Sequence, residues 1–521
     1  MDFLLHHLVR TSAQRQPAKE ALVHGPERLT YEDVARRTLG LAAGLRRAGL
    51  RRGDRVGIYL DPSVAQVLSI FAASQAGGVF VPINAGLFPE QLKHIANDCG
   101  ITALITTPAK LSALQRTLKE VPSLEFVVAT AGDRPDVSVP VHSFEDLCAA
   151  PPAGLADVAI EKDLAAILYT SGSTGKPKGV MLSHAQMLAG ASIVSTYLEI
   201  TAVDRILAVL PFSFDAGLNQ LTTAFQQGGT LVLIKFVFAR EVVDALLKER
   251  ITGLAGVPTF WSLLSQPSST LDRHQFPDLR YITNTGGAMP QSVLAILRQR
   301  LPMTRIFLMY GLTEAFRSTY LPPEELDRRP TSMGKAIPDT EILVVHEDGR
   351  LCRPGEVGEL VHRGPTVSMG YWGKPELTAE VLRPHPFLPP ELGDTERVAY
   401  SGDLVKMDED GFLYFVGRRD NMIKSSGFRI SPTQVEEALM QSGLLREAAV
   451  IGLPDPVLGQ SIKAFAVLRE GATVDAESLR TACASHLPGY MVPRTIELLE
   501  ALPKTTSGKV DYPALRRREG L

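Results

Sequence analysis

Short apolar runs alternate with amphipathic helical stretches along most of the chain. "RVGIYL", starting at Arg55, reads as a buried strand; a helical pattern then runs to Ala76, and "VFVPI" follows as the next strand. "ITALITT", "LVLI", "YITNTG" and "RIFLMYG" repeat the same texture further on. Strands spaced by helices predict an α/β fold with mostly parallel sheets. From about Glu341 the texture changes to strands separated by Gly turns ("EILVV", "GELVHRG", "LVKMDEDGFLYFVGRRD"), which predicts an antiparallel β subdomain. After "GRRDNMIKSSGFRI" the pattern becomes compact α+β. There Ser431 stands as a helix N-cap with Pro432 at the first helical position, "REAAVIGL" and "IKAFAVL" read as strands, and "DAESLRTACASHL" as a helix. Residues 130–157 are rich in Pro, Ala and Asp and read as a surface connection.

Composition narrows the class. A chain of 521 residues is too long for one core, so at least two domains are expected. A net charge of −3 gives no electrostatic case for nucleic acid or an anionic membrane. The stretch 62–89 has no charge, but Gln66, Ser69, Ser74, Gln75, Gly77, Gly78 and Pro82 make it a buried helix, a turn and a strand rather than an integral membrane segment. "MDFLLHHLVRTSAQRQP" has an acidic second residue and no basic start, so it reads as a short amphipathic helix and not a signal peptide. The cysteines (Cys99, Cys148, Cys352, Cys483) lack C-x-x-C or metal spacing and read as buried thiols of a reducing compartment. A cytoplasmic location is expected.

"SGSTGKPKG", Ser171 to Gly179, follows the apolar run "LAAILYT" and has the composition of a phosphate cradle. It is not a P-loop. Five residues on from Gly172 stands Pro177 and not Gly, and Gly175-Lys176 is followed by Pro177 where a magnesium-binding hydroxyl belongs. Pro177 also interrupts the helix that would open there, and G-x-G-x-x-G is absent. Two readings stay open from these residues alone: a nucleotide loop of another kind, or a turn between a buried strand and a helix.

Five further stretches line up behind that loop: "NTGGA" (Asn284–Ala288), "YGLTE" (Tyr310–Glu314), "YSGD" (Tyr400–Asp403), "GRRDNMIKSSGFRI" (Gly417–Ile430) and "PKTTSGK" (Pro503–Lys509). With them the chain, from "LTYEDVA" at Leu29 to Lys509, resembles the superfamily of AMP-forming adenylating enzymes, which includes acyl-CoA synthetases, adenylation domains of peptide synthetases and luciferases. The resemblance implies a large adenylation domain over 1–419, built of α/β subdomains plus an antiparallel β subdomain. It implies a small mobile α+β domain over 420–521 carrying a catalytic lysine. It also implies the reaction: a carboxylate attacks the α-phosphate of ATP, pyrophosphate leaves, and a thiol displaces AMP from the acyl adenylate.

The roles the resemblance implies are these. Thr170, Ser171, Ser173 and Thr174 offer hydroxyls and Gly172 and Gly175 offer backbone N–H groups to the phosphates, with Lys178 supplying cationic charge. Gly286, Gly287 and Ala288 pass close to adenine, and Tyr310 stacks on it. Thr313 contacts the AMP phosphate, and Glu314 holds Mg²⁺, for which one carboxylate plus phosphate oxygens suffices. Asp403 accepts the ribose hydroxyls, beside Arg418; Tyr400 stands where a basic residue is usual. Asp420 is the hinge, and Gly427 lines the tunnel for the thiol. Lys509 bridges the acid and the α-phosphate, placing positive charge where negative charge develops.

The acid is the open question. The pocket implied by the resemblance lies near "PFSFDAGLNQL", including Asp215 and Gly217, together with "NTGGA" and "YGLTE". Asp215 has two readings. It holds the amine of an amino-acid substrate, since a buried carboxylate beside an acyl chain needs a cation, or it caps the helix that follows. Arg317 meets a second carboxylate or lies at the rim. "SFDAGLNQL" and "YGLTEAFRSTYLPPEEL" resemble free-standing prolyl-carrier-protein ligases and equally acyl-CoA ligases found with exosortase A systems. No carrier segment is recognisable after Lys509, so the acceptor is expected in trans, as CoA or as phosphopantetheine on a free carrier protein.

Overall fold

The computed structural model describes the chain except residues 1, 133, 134, 136, 150–154, 171–176, 394, 395, 426, 427, 506 and 507, and except the side chains of 393, 420, 424, 428 and 429. Two compact units emerge. The first takes in most of the chain up to Glu341 together with His362–Ala399; the second holds Ile342–Val361 and Tyr400–Leu521.

The first unit carries two large sheets. One orders its strands Val141–Ser143, Phe126–Ala129, Ile101–Thr106, Arg55–Tyr59, Val79–Pro82, Leu164–Thr170 and Lys178–Ser183. Its pairs are parallel except the last, where Thr170 faces Lys178 in an antiparallel pair. The other runs Lys335–Ala336, Ala315–Leu321, Arg305–Leu312, Tyr281–Asn284, Gly253–Gly256, Arg205–Ala208, Thr230–Leu233, Glu20–His24 and Glu27–Thr30. Its middle strands are parallel. Strands such as Ile101–Thr106 and Phe126–Ala129 are buried at every position, which is why they read as unbroken apolar runs. Phe71, Phe80 and Phe225 sit in the core between them. The uncharged stretch forms the helix Val64–Gln75, capped by the Ser63 side chain, and the strand Val79–Pro82. No described helix is long and apolar enough to cross a membrane.

Two local expectations change. Inside 130–157, Val141–Ser143 is an edge strand and Phe144–Ala149 a helix. Both are too short to show a period among prolines and aspartates. The strand Leu164–Thr170 leads to a second strand, Lys178–Ser183, before the helix His184–Tyr197 begins under a Ser183–Gln186 capping box. "SGSTGKPKG" thus lies between two antiparallel strands and not between a strand and a helix. The cysteines are free; Cys99, Cys148 and Cys483 are buried and Cys352 half-buried. Burial pushes the Cys99 thiol up to about 11 and the Cys148 thiol up to about 12.

In the second unit, Asp403–Met407 pairs antiparallel with Leu413–Arg418, as the Gly-turn pattern predicts. Beyond it, Phe428–Ile430, Ile423–Ser425, Gly459–Leu468 and Leu445–Asp455 form an antiparallel sheet, with Thr495–Leu498 added parallel to Gly459–Leu468. The helix Pro432–Met440 starts under Ser431, whose hydroxyl accepts from the Gln434 N–H. Val435, Leu439, Leu479 and Cys483 pack with Val450 and Ile462, while Leu502 and Leu515 pack with Ile451 and Phe465.

The N-terminal helix His7–Arg15 is tied down by buried histidines. His6 Nε2 and His7 Nε2 lie 2.9 and 3.0 Å from the Asp157 carboxylate, Arg10 Nη1 donates to it at 3.0 Å, and the Leu5 N–H donates to His184 Nδ1 at 3.2 Å. Burial pushes His6 and His184 down to about 4, more than Asp157 and Asp163 raise them. A histidine whose folded value lies below its unfolded one resists protonation, so the unfolded chain takes up protons first as pH falls. The melting temperature is therefore expected to drop between pH 6.5 and about 4, by the equivalent of roughly 3 kcal/mol per histidine. The contribution of Asp157, held well below the usual carboxylate range mainly by His6 and Arg10 against its own desolvation, persists to lower pH. Calorimetric melts from pH 4 to pH 8 check this; a flat profile for wild type, or no flattening in a His6→Asn/His184→Asn variant, contradicts it.

Candidate active site

Three of the motifs, "SGSTGKPKG", "NTGGA" and "YGLTE", come at or after the carboxyl ends of strands with parallel partners, where open α/β sheets place their ligands. The strand Arg205–Ala208 leads into "PFSF" and the helix Asp215–Gln227. The helix cap is Phe214, which makes no side-chain capping bond, and Asp215 is the first helical residue. Gly217 is required by packing: a Cβ there would stand 2.2 Å from the Pro211 carbonyl oxygen. That close approach sets the helix start against the loop before it.

Asp215 is 5% exposed and Arg317 4%. Arg317 Nη1 lies 3.9 Å from Asp215 Oδ2 and donates to Thr285 Oγ1 at 3.0 Å. The cation that a buried carboxylate needs comes here from the protein. Arg317 stands on the strand Ala315–Leu321 at φ +57°, in the left-handed region that a non-glycine residue rarely enters. Neither partner was assigned to the other by the sequence patterns, and no local spacing links them.

"YGLTE" ends one strand and turns into the next. Leu312 pairs with Ala315, so Thr313 and Glu314 form the tight turn of a hairpin, while half-buried Tyr310 pairs with Thr319 beside an irregularity in register. Glu314 Oε1 accepts a hydrogen bond from the Tyr371 hydroxyl at 2.5 Å, and the Ser368 N–H donates to the Glu314 carbonyl at 2.8 Å. The segment around Tyr371 bridges both neighbours, with Val180 opposite Tyr371 and Ala315 opposite Val367. Lys178 Nζ lies 4.9 Å from the centroid of the Tyr371 ring. Lys178, Tyr371 and Glu314 therefore form one contiguous chain of cation, ring and carboxylate. Tyr371 is a residue the sequence patterns missed. Its replacement by Phe keeps the ring under Lys178 and removes the bond to Glu314, and is expected to cost about tenfold in adenylation rate at low Mg²⁺ and less at high Mg²⁺. Pyrophosphate exchange across a Mg²⁺ titration checks it.

In "NTGGA", Asn284 Nδ2 donates to the Gly287 carbonyl at 2.9 Å, while its Oδ1 is buried with no hydrogen-bond partner among the described residues. Gly286 adopts φ +80°, and Gly287 and Ala288 are exposed at the rim. In the second unit Asp403 and Arg418 face each other across two strands, with Arg418 Nε 3.2 Å from Asp403 Oδ1. Asp403 is buried and Arg418 half-exposed. Asp420 lies in the short turn Arg419–Asn421. Lys509 is exposed on a turn in which the Thr505 N–H donates to its carbonyl at 2.8 Å and its own N–H donates to Thr505 Oγ1 at 3.2 Å. Thr170 ends its strand opposite Lys178. Ser171, Gly172, Ser173, Thr174, Gly175 and Gly427 lie outside the described residues.

The family described as AMP-binding enzyme matches residues 9–372, and its C-terminal domain matches residues 434–509. The chain belongs to the AMP-binding enzymes. This AMP-binding enzyme is 35% identical to a feruloyl-CoA synthase of Amycolatopsis sp, over 98% of this chain and 97% of that one. It is 30% identical to a long-chain-fatty-acid–CoA ligase of Bacillus subtilis (strain 168), over 99% and 93% of the two chains. Its fold is similar to the crystal structure of the anthranilate CoA ligase AuaEII in complex with anthranoyl-AMP, with a TM-score of 0.89 at 26% identity, covering 99% of this chain and 97% of that one. The AMP-binding enzyme described here is accordingly an AMP-forming acid–thiol ligase: with ATP it converts a carboxylic acid to acyl-AMP, releases pyrophosphate and passes the acyl group to a thiol.

Proposed function

We propose that this AMP-binding enzyme is a cytoplasmic acid–CoA ligase acting on a small carboxylic acid, with Lys509 as its adenylation cation and the division at 419/420 as its domain boundary. The observation that carries the assignment of roles is the Lys178–Tyr371–Glu314 chain, which joins the phosphate loop's cation to the metal-binding carboxylate. Free cysteines support the compartment, and the CoA ligases among its relatives support the acceptor.

In this reading Thr170, Lys178 and the loop before it grip the β- and γ-phosphates. Tyr310 stacks on adenine against the backbone of Gly286, Gly287 and Ala288. Asp403 accepts the ribose hydroxyls and Arg418 steadies that carboxylate across the strand pair. The Glu314 carboxylate suits Mg²⁺, because the bond from Tyr371 occupies one oxygen and orients the other. Bound there, Mg²⁺ would neutralise phosphate charge. A substrate carboxylate oxygen attacks the α-phosphorus, the bond to the β-phosphate oxygen breaks, and pyrophosphate leaves. Thr313 and Lys509 stabilise the charge gathering on the α-phosphate oxygens. A thiolate then attacks the acyl carbon and AMP departs, with Asp420 as hinge and Gly427 beside the thiol.

The test is pyrophosphate exchange across a panel of proline, other amino acids, and short, aryl and long-chain acids. CoA and a phosphopantetheinylated carrier protein are then offered to the best acid. Exchange followed by acyl-CoA formation is expected. Acylation of the carrier but not CoA overturns the acceptor, and silence with every acid overturns the ligase.

A further inference from the structure

We propose that the acid this enzyme activates carries an uncharged hydroxyl group, held by Arg317 and Gln220 where Asp215 balances the Arg317 charge. The proposal rests on the ligase reading and narrows its substrate.

A cavity of about 20 Å³ opens among the helix Asp215–Gln227 and the strands Gly253–Gly256, Tyr281–Asn284 and Arg305–Leu312. The strands Tyr281–Asn284 and Arg305–Leu312 lead into "NTGGA" and "YGLTE", two of the segments that the family resemblance assigns to the acid. Asn219, Gln220, Thr283, Met309 and Arg317 are among its lining residues. A second cavity of about 20 Å³ meets Asp215, Asn219, Thr222 and Phe316. Each has room for one oxygen-sized group.

The polar groups around these cavities are incompletely satisfied. Arg317 Nε, a donor, is buried without a hydrogen-bond partner among the described residues, and so is Gln220 Oε1, an acceptor. Gln220 is fixed by its other end, since Nε2 donates to the Leu207 carbonyl at 2.9 Å. The Asp215–Arg317 separation of 3.9 Å is an ion pair but too long for a hydrogen bond. Buried polar atoms in native proteins are nearly always paired, so these call for a guest.

Charge selects among guests. An ammonium in the first cavity would meet the Arg317 cation, while Asp215 is not among its lining residues. A second carboxylate would meet Arg317 but would lie beside Asp215. Both are like-charge contacts in a buried place, where screening is weak. A wholly apolar acid leaves Arg317 Nε and Gln220 Oε1 unpaired, and sites built for a hydrogen-bonding group reject the analogue lacking it. A hydroxyl donates one bond, accepts others and adds no charge.

The experiment uses the full-length enzyme in pyrophosphate exchange with matched acids. Benzoate, cinnamate and hexanoate are each compared with their hydroxy, amino and carboxy derivatives, the substituent being moved round the ring or placed at the chain end. In at least one series the hydroxy acid is expected to exceed its parent by about tenfold or more in kcat/KM, with the amino and carboxy acids below the parent. The variant Asp215→Asn/Arg317→Gln, which keeps the pocket neutral, is expected to bring that ratio close to one. Hydroxy acids within about threefold of their parents in every series, or an amino or carboxy acid preferred, overturns the proposal while leaving the ligase intact. Exchange with no acid in any series overturns both. A hydroxyl preference that survives the double variant overturns the placement at Arg317.

Discussion

Replacing Lys509 with alanine is expected to lower acyl-AMP formation by about 100- to 1,000-fold, the usual loss when one preorganised charge stabiliser is removed, and to leave thiol transfer from supplied acyl-AMP near wild type. The split follows from what each half-reaction asks of a cation. During adenylation, negative charge builds on oxygens of the α-phosphate as the bond to pyrophosphate lengthens. During thiol transfer it builds on the acyl carbonyl oxygen. Stability is expected to be spared, because Lys509 is exposed and its turn is held by other groups. The Asp511 N–H donates to the Pro503 carbonyl at 2.8 Å, Lys504 bridges Val510, and Asp511 caps the helix Tyr512–Arg518. The Tyr512 hydroxyl anchors that helix by donating to Glu436 at 2.7 Å. Pyrophosphate exchange reads the first half-reaction, and acyl-CoA formation from synthetic acyl-AMP reads the second. Equal losses in both would show that Lys509 acts on the fold or on shared binding.

How far the sequence reaches depends on whether the controlling interaction is local. Ser431 and Pro432 mark a helix start because a cap is a bond to residues immediately following, and the helix begins there. Unbroken apolar runs reveal the doubly buried strands for the same reason. Val141–Ser143 and Phe144–Ala149 escape because neither is long enough to establish a period. "SGSTGKPKG" suggests a turn, yet the strand after it depends on pairing with Leu164–Thr170 and on the segment carrying Tyr371. The site follows the same rule. Glu314 and Asp403 stand in compact motifs, whereas Tyr371 lies 57 residues beyond the carboxylate it holds. Asp215 carries an evident demand for a cation. Only the fold brings Arg317 from the strand Ala315–Leu321 to meet it.

Glu314→Gln is the other substitution expected to act strongly, lowering adenylation by about 100-fold or more at fixed Mg²⁺. The amide preserves the shape of the side chain, and its oxygen still accepts from the Tyr371 hydroxyl. The hairpin turn between Leu312 and Ala315 and the bond from the Ser368 N–H to the residue's carbonyl do not depend on its charge. What disappears is the anion, and with it the affinity of this position for a hard divalent cation. Melting temperature is therefore expected to stay within a few degrees of wild type, since no buried charge is left unpaired. The Mg²⁺ concentration needed for half-maximal exchange is expected to rise, and calorimetric titration with MgATP should show weaker binding that ATP alone does not. Asp403→Asn is the contrasting control, because its carboxylate pairs with Arg418 on another pair of strands. It is expected to raise KM for ATP without altering the Mg²⁺ requirement. Should Glu314→Gln change KM for ATP and leave the Mg²⁺ dependence untouched, Glu314 would be a strut for Tyr371 and Lys178, and the metal would have to be held by other groups.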